Sequence, residues 1–182
     1  MKKVYILLAD GFEIMETFAP HDILTRCGLD VKTVSISSDK NVKSAHGVAV
    51  TSDLFIENSD LSDGELLILP GGYPGYENLG NSKEVGKVLI DYYNKGKWVG
   101  AICGAPTVLY KNNIAADKKI TCHSGVKDKI GNYNYIGGAT VIDGNLITGD
   151  GAGHSLDFGF LLASALVDDD TIDKVKKSIE IK

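Results

Sequence analysis

Residues Lys97 to Leu109, KWVGAICGAPTVL, place the tightest constraint on the fold. An apolar strand over Trp98 to Ile102 stops at Cys103 and turns at once, through Gly104-Ala105-Pro106, into a helix. A turn this abrupt crowds two backbones and demands small neighbours, which Ala101 and Ala105 supply, and it lifts the central side chain above the sheet as a nucleophile elbow lifts its serine. Cys103 then sits at the positive end of a helix, where the dipole favours thiolate over thiol. The bland alternative is a strand-end cysteine packed as a small hydrophobe.

A chain of 182 residues with 43% hydrophobic content suits a single domain spanning 1–182. The net charge of −5, with no Lys/Arg cluster, argues against a nucleic-acid partner. Residues 1–9 carry two lysines and a short apolar run, but Asp10 follows. With no leader cleavage site and no eighteen-residue apolar span, a cytoplasmic protein without a membrane partner is expected. The cysteines, Cys27, Cys103 and Cys122, are odd in number and form no C-x-x-C pair, which points away from a disulfide framework or a metal site.

Along the chain, Lys3 to Ala9 is almost wholly apolar and reads as a central strand buried on both faces. Pro20, Ile23, Leu24 and Cys27 share one face of a helix that Gly28 stops, with Pro20 expected in or near the first turn. Val31 to Ile36 alternates as a strand, Val42 to Thr51 suggests a hairpin around Ala45-His46-Gly47, and Leu66 to Leu69 is a buried strand broken by Pro70-Gly71-Gly72. A helix over Lys83 to Lys95 precedes the Trp98 strand. Lys119 to His123 reads as a short strand, Thr140 to Thr148 as a hairpin, Phe158 to Leu166 as a helix, and Asp168 to Asp170 as the cap of a last helix over Thr171 to Glu180.

Apolar strands alternating with amphipathic helices imply an α/β fold with a mostly parallel sheet and helices on both faces. In such sheets sites gather where strands end at their carboxyl edge. That rule collects Asp10 to Glu16, Gly71-Gly72, Cys103 and His123 around one mouth.

The segments LADGFEIMETFAPHDIL, LLILPGGYPGYENL, GAICGAPTVL and TCHSG, in that order, resemble the ThiJ/PfpI superfamily in its DJ-one-like branch, the branch of the Parkinson-associated protein deglycase. The resemblance covers essentially the whole chain. It implies a flavodoxin-like three-layer sandwich (class I glutamine amidotransferase-like) and a homodimer. It implies Cys103 as nucleophile, Glu16 protonated and hydrogen-bonded to its sulfur, and His123 as a candidate base. The resemblance also implies a substrate-binding set of Gly71, Gly72, Gly104, Arg26 and His46, in which the glycine backbone donors would hold an oxyanion. Where related proteins line an anion pocket with arginines, this chain keeps Arg26 but has His46 and Asp150, so weaker anion binding is expected. The protease branch places a histidine directly after the cysteine, and Gly104 stands there instead. His154 matches nothing in the pattern and reads as a capping or interface residue.

Gly149, Gly151 and Gly153 do not form a dinucleotide fingerprint, and Gly75 to Gly80 lacks a phosphate-loop lysine, so no cofactor is expected. Two functions compete. One is a cofactor-independent glyoxalase or deglycase acting on small reactive aldehydes such as methylglyoxal, or on a glycated substrate, through an exposed Cys103 of low pKa. The other is an oxidative-stress sensor or redox chaperone in which the same thiol is oxidised. An amidase or protease is the distant third.

Overall fold

The structure, a computed structural model, describes residues 1–181. Strand β1 (Lys3–Leu8) shows how the core divides. Successive strand side chains point to opposite faces. Val4, Ile6 and Leu8 accordingly enter one apolar cluster and Tyr5 and Leu7 the other. Because both parities are apolar, both faces must be covered.

Helix α1 (Ile14–Arg26) returns the chain to β2 (Asp30–Ser35), parallel to β1. A hairpin of β3 (Asn41–Lys43) and β4 (Ala49–Thr51) forms a sheet of its own, and β5 (Leu54–Phe55) borders β2. Strand β6 (Leu66–Leu69) lies on the other side of β1 and leads to α2 (Gly75–Asn81) and α3 (Lys83–Asn94). Strand β7 (Trp98–Ile102) pairs with β6 and feeds α4 (Pro106–Lys111). Strands β8 (Lys119–Ile120) and β9 (Asn134–Tyr135) pair apart from the main sheet. The hairpin of β10 (Thr140–Asp143) and β11 (Leu146–Gly149) turns at Gly144-Asn145 and lays β11 parallel to β7. Helices α5 (Ser155–Ser164) and α6 (Asp169–Ser178) complete the order.

The main sheet runs β10-β11-β7-β6-β1-β2-β5, parallel except for β10. Helices α1, α5 and α6 cover one face and α2, α3 and α4 the other, which is the flavodoxin-like sandwich. Chain direction across the sheet reverses between β1 and β6, so the crevice above their carboxyl ends is the switch point where such folds place ligands.

Several expectations need correction. Pro20 is the seventh residue of α1, not part of its first turn. The Glu13 carboxylate accepts from the Glu16 amide at 2.7 Å and starts the helix there, so Pro20 costs the helix the bond its own amide would have made to the Glu16 carbonyl. Helix α5 packs against that point, where a Cβ on Gly159 would stand 3.1 Å from the Pro20 Cα. The strand before His123 is only two residues long and is not in the main sheet. Asp168 does cap the last helix, accepting from Thr171 N at 2.9 Å, but that helix opens at Asp169. The short elements β5, α2 and β9 were not foreseen.

Candidate active site

Cys103 follows β7 directly with φ +63°, a left-handed conformation that costs a residue with a Cβ about 1–2 kcal/mol. Backbone bonds hold it there. Its amide donates to the Gly149 carbonyl and its carbonyl accepts from the His123 amide, each at 2.9 Å. The second bond brings His123 beside the cysteine although its strand lies outside the main sheet.

Glu16 arrives from the first turn of α1 and is only 1% exposed. Its Oε2 accepts from the Gly71 amide at 2.9 Å, and its carboxyl lies beside the Cys103 thiol so that each shifts the other's proton affinity. A Cβ on Gly71 would fall 2.6 Å from that oxygen and 3.1 Å from the Cys103 Sγ, so only glycine fits between acid and sulfur. Gly72 has φ +89°, and a Cβ there would meet the Gly11 carbonyl oxygen at 2.4 Å. The amides of Gly72 and Gly104 act on the sulfur and favour its thiolate, while that of Gly71 is occupied by Glu16. The diglycine therefore divides its donors between the two reactive groups.

Among the described residues no cation neutralises this pair. Burial pushes the Glu16 carboxyl from 4.5 up to about 7, against the pull of its bonds to Cys103 and the Gly71 amide. The expectation of an exposed thiol of low pKa is corrected. Cys103 is half-buried, and burial, then the Glu16 charge, push the thiol up to about 12, outweighing the Gly72 and Gly104 amides that favour the thiolate.

The His123 ring accepts from the Gly125 amide at Nδ1, 3.0 Å away, so a neutral ring carries its proton on Nε2. A cavity of about 310 Å³ opens in front of the sulfur, walled by Gly72, Tyr73, Tyr76, Gly104, His123 and Val126. A larger cavity of about 760 Å³, between α5, α6 and β10, contains neither thiol nor histidine.

The structure thus brings Cys103, Glu16, His123, Gly71, Gly72 and Gly104 together and leaves two expected binding residues out. Arg26, the sole arginine of the chain, ends α1. Ten residues of helix separate it from Glu16, roughly 15 Å along the axis. It pairs with Asp22 at 2.7 Å and faces a hollow against α6. His46 is exposed in the turn between β3 and β4, away from the cavity walls. Asp150 holds the His154 Nδ1 at 2.7 Å in a neighbouring hollow that shares His123, and the His154 side chain makes no cap bond to α5. Tyr73 and Tyr76 are cavity residues that the sequence reading missed. Their signal was two tyrosines set around Pro74-Gly75 directly after the diglycine.

Among the described residues no cluster of three or more His, Cys, Asp or Glu is placed to hold a metal ion, and no helix is long and apolar enough to cross a membrane. The family model of DJ-1/PfpI matches residues 2–165. The chain belongs to the DJ-1/PfpI family.

Among DJ-1/PfpI relatives, protein dj-1beta of Drosophila melanogaster is 32% identical over 180 residues, which cover 98% of this chain and 96% of that protein. Its crystal structure superposes with a TM-score of 0.96 at 31% identity, covering 100% of this chain and 98% of that one. The glutathione-independent glyoxalase DJR-1.2 of Caenorhabditis elegans is 34% identical over 168 residues, 91% of this chain and 89% of that protein. The glutathione-independent glyoxalase DJ-1 of Schizosaccharomyces pombe is 30% identical over 191 residues, covering all of both chains.

Proposed function

We propose that this member of the DJ-1/PfpI family is a glutathione-independent glyoxalase that converts small α-oxoaldehydes such as methylglyoxal into 2-hydroxy acids through Cys103, without a cofactor. The observation that carries the reading is a cysteine in the wall of an open cavity on whose sulfur a buried carboxyl and two backbone amides act. Two relatives bearing the glyoxalase name support it.

The shifts of Glu16 and Cys103 describe how the two groups compete for protons. A charged Glu16 holds the proton on sulfur by repulsion. Once the proton sits on the carboxyl, that repulsion vanishes and an O–H donor faces the thiolate. The reactive state therefore has Glu16 protonated and the sulfur ionised, and burial that raises the carboxyl to about 7 favours the protonated acid over an ordinary ionised glutamate.

Thiolate addition forms a C–S bond at the aldehyde carbon, and the carbonyl π pair moves to oxygen. The Gly72 and Gly104 amides face that oxygen and Glu16 delivers its proton. The proton on the former aldehyde carbon then transfers to the adjacent ketone carbon through an enediol, with His123 in the cavity wall and Glu16 beside the sulfur as bases. The ketone is reduced to an alcohol as the aldehyde carbon reaches thioester level. Water breaks the C–S bond, releasing the hydroxy acid, so no outside oxidant or reductant is needed. The test is lactate release from methylglyoxal by the purified protein. Cys103→Ala is expected to abolish it, and undiminished release from that variant, or none from the wild type, overturns the reading.

A second reading, oxidation of Cys103 as a stress signal, is favoured by the same donors, which would hold a sulfinate as well as an oxyanion. Mass spectrometry after mild peroxide checks it: oxidation of Cys27 or Cys122 ahead of Cys103 removes it.

A further inference from the structure

We propose that Tyr73 and Tyr76 make the Cys103 cavity selective for α-oxoaldehydes whose second substituent is flat, apolar and uncharged, an aryl group above all, over methylglyoxal. The inference rests on the glyoxalase reading and names the substrate class of that same site.

Tyr73 is 68% exposed, so core packing does not account for a large aromatic side chain at this place. It stands at the mouth of the cavity and pairs with Tyr76, ring centroids 6.3 Å apart and planes inclined by 54°. Tyr76 lies against the elbow itself. A Cβ on Gly104 would stand 2.4 Å from its ring, so that ring packs on the residue whose amide reaches the sulfur. A substituent carried by an adduct on the Cys103 Sγ therefore projects along two aromatic rings, with Val126 as the remaining side-chain wall of apolar character. Aromatic rings meeting at offset or tilted geometry attract beyond simple area burial, and a methyl group collects little of that attraction.

Charge completes the argument. Among the described residues no lysine or arginine lines the cavity, the single arginine lies at the far end of α1, and Glu16 adds negative charge behind the sulfur whenever it ionises. Lys129 acts on the Tyr76 hydroxyl but is not a cavity wall. A carboxylate substituent, as in glyoxylate, finds no partner, whereas an aryl ring needs none.

The bond changes are those of the glyoxalase sequence: an arylglyoxal and water give an arylhydroxyacetate, the aldehyde carbon being oxidised and the ketone carbon reduced within one molecule. The experiment measures kcat/KM for phenylglyoxal and for methylglyoxal in the wild type, Tyr73→Ala, Tyr73→Phe and Tyr76→Phe. In Tyr73→Ala the phenylglyoxal-to-methylglyoxal ratio is expected to fall about threefold to tenfold, and the two Phe variants are expected to keep the wild-type ratio because the ring acts and the hydroxyl does not. Hydroxy acid from both substrates with an unchanged ratio in Tyr73→Ala overturns the selectivity and leaves the glyoxalase reading standing. No hydroxy acid from either substrate in the wild type overturns both. Exposure of Tyr73 keeps its variants folded, and far-UV circular dichroism verifies it.

Discussion

Two carboxyl groups at opposite edges of one sheet are treated in opposite ways. At the amino edge Asp63, exposed to water, takes an ion pair from Lys3 and a hydrogen bond of 2.6 Å from the Tyr5 hydroxyl, and its pKa is lowered, chiefly by the bond to Lys3. At the carboxyl edge Glu16 is buried, has no cation beside it among the described residues, and is raised to about 7. The amino edge is arranged as a folded surface ordinarily is, each charge answered by a partner or by solvent. The carboxyl edge keeps an unanswered acid, a cysteine in left-handed backbone and two glycines packed among them. Such features cost free energy and persist where the surrounding structure over-determines them. Here the two apolar clusters on either side of the sheet provide that support.

The largest expected effect breaks the carboxyl edge alone. Gly71→Ala drives a methyl group into the Glu16 carboxyl, and hydroxy-acid release should fall about a hundredfold or more, the contribution typical of a positioned general acid. Steady-state kinetics on methylglyoxal reads the change. Activity within twofold of the wild type would mean that acid and sulfur need not touch.

A smaller effect appears in stability against pH. The folded pKa of Glu16 lies above its unfolded value of 4.5, so its contribution is fully present below pH 4.5 and is lost as pH rises through about 7. Glu16→Gln removes this loss. Denaturant melts should show the variant gaining on the wild type by about 3 kcal/mol between those limits. A constant difference across that range would show that the acid is not raised by burial.

The smallest effect belongs to the amino edge. Asp63→Asn should leave kcat/KM unaltered, and any shift of its thermal midpoint should be smaller than that of Glu16→Gln and vanish in high salt, because an exposed pair is screened. A salt-independent loss of activity would erase the contrast between the edges.

What could be read ahead of the structure follows physical range. The β1, β6 and β7 runs and the Cys103 elbow were legible because apolar periodicity and small residues at a tight turn act between near neighbours. Strand β5, with two residues, and α2, with seven, are too short to show a period. Arg26 lies one helix away from the site it was assigned to, and which way a helix runs from a site is a property of packing. The thiol was misjudged for the same reason: a dipole at a helix end is visible in the sequence, whereas the burial that outweighs it comes from segments far along the chain.

The sequence by itself determined the family and the layered α/β architecture and gathered Cys103, Glu16, His123 and the two glycines around one mouth, because each of these patterns is written in contiguous residues. Only the tertiary structure decided that Gly71 serves the acid while Gly72 and Gly104 serve the sulfur, that Arg26 and His46 stand apart, and that Tyr73 and Tyr76 wall the cavity. Distances of a few ångströms between segments tens of residues apart are set by how the sheet brings its strand ends together, and no local pattern carries them.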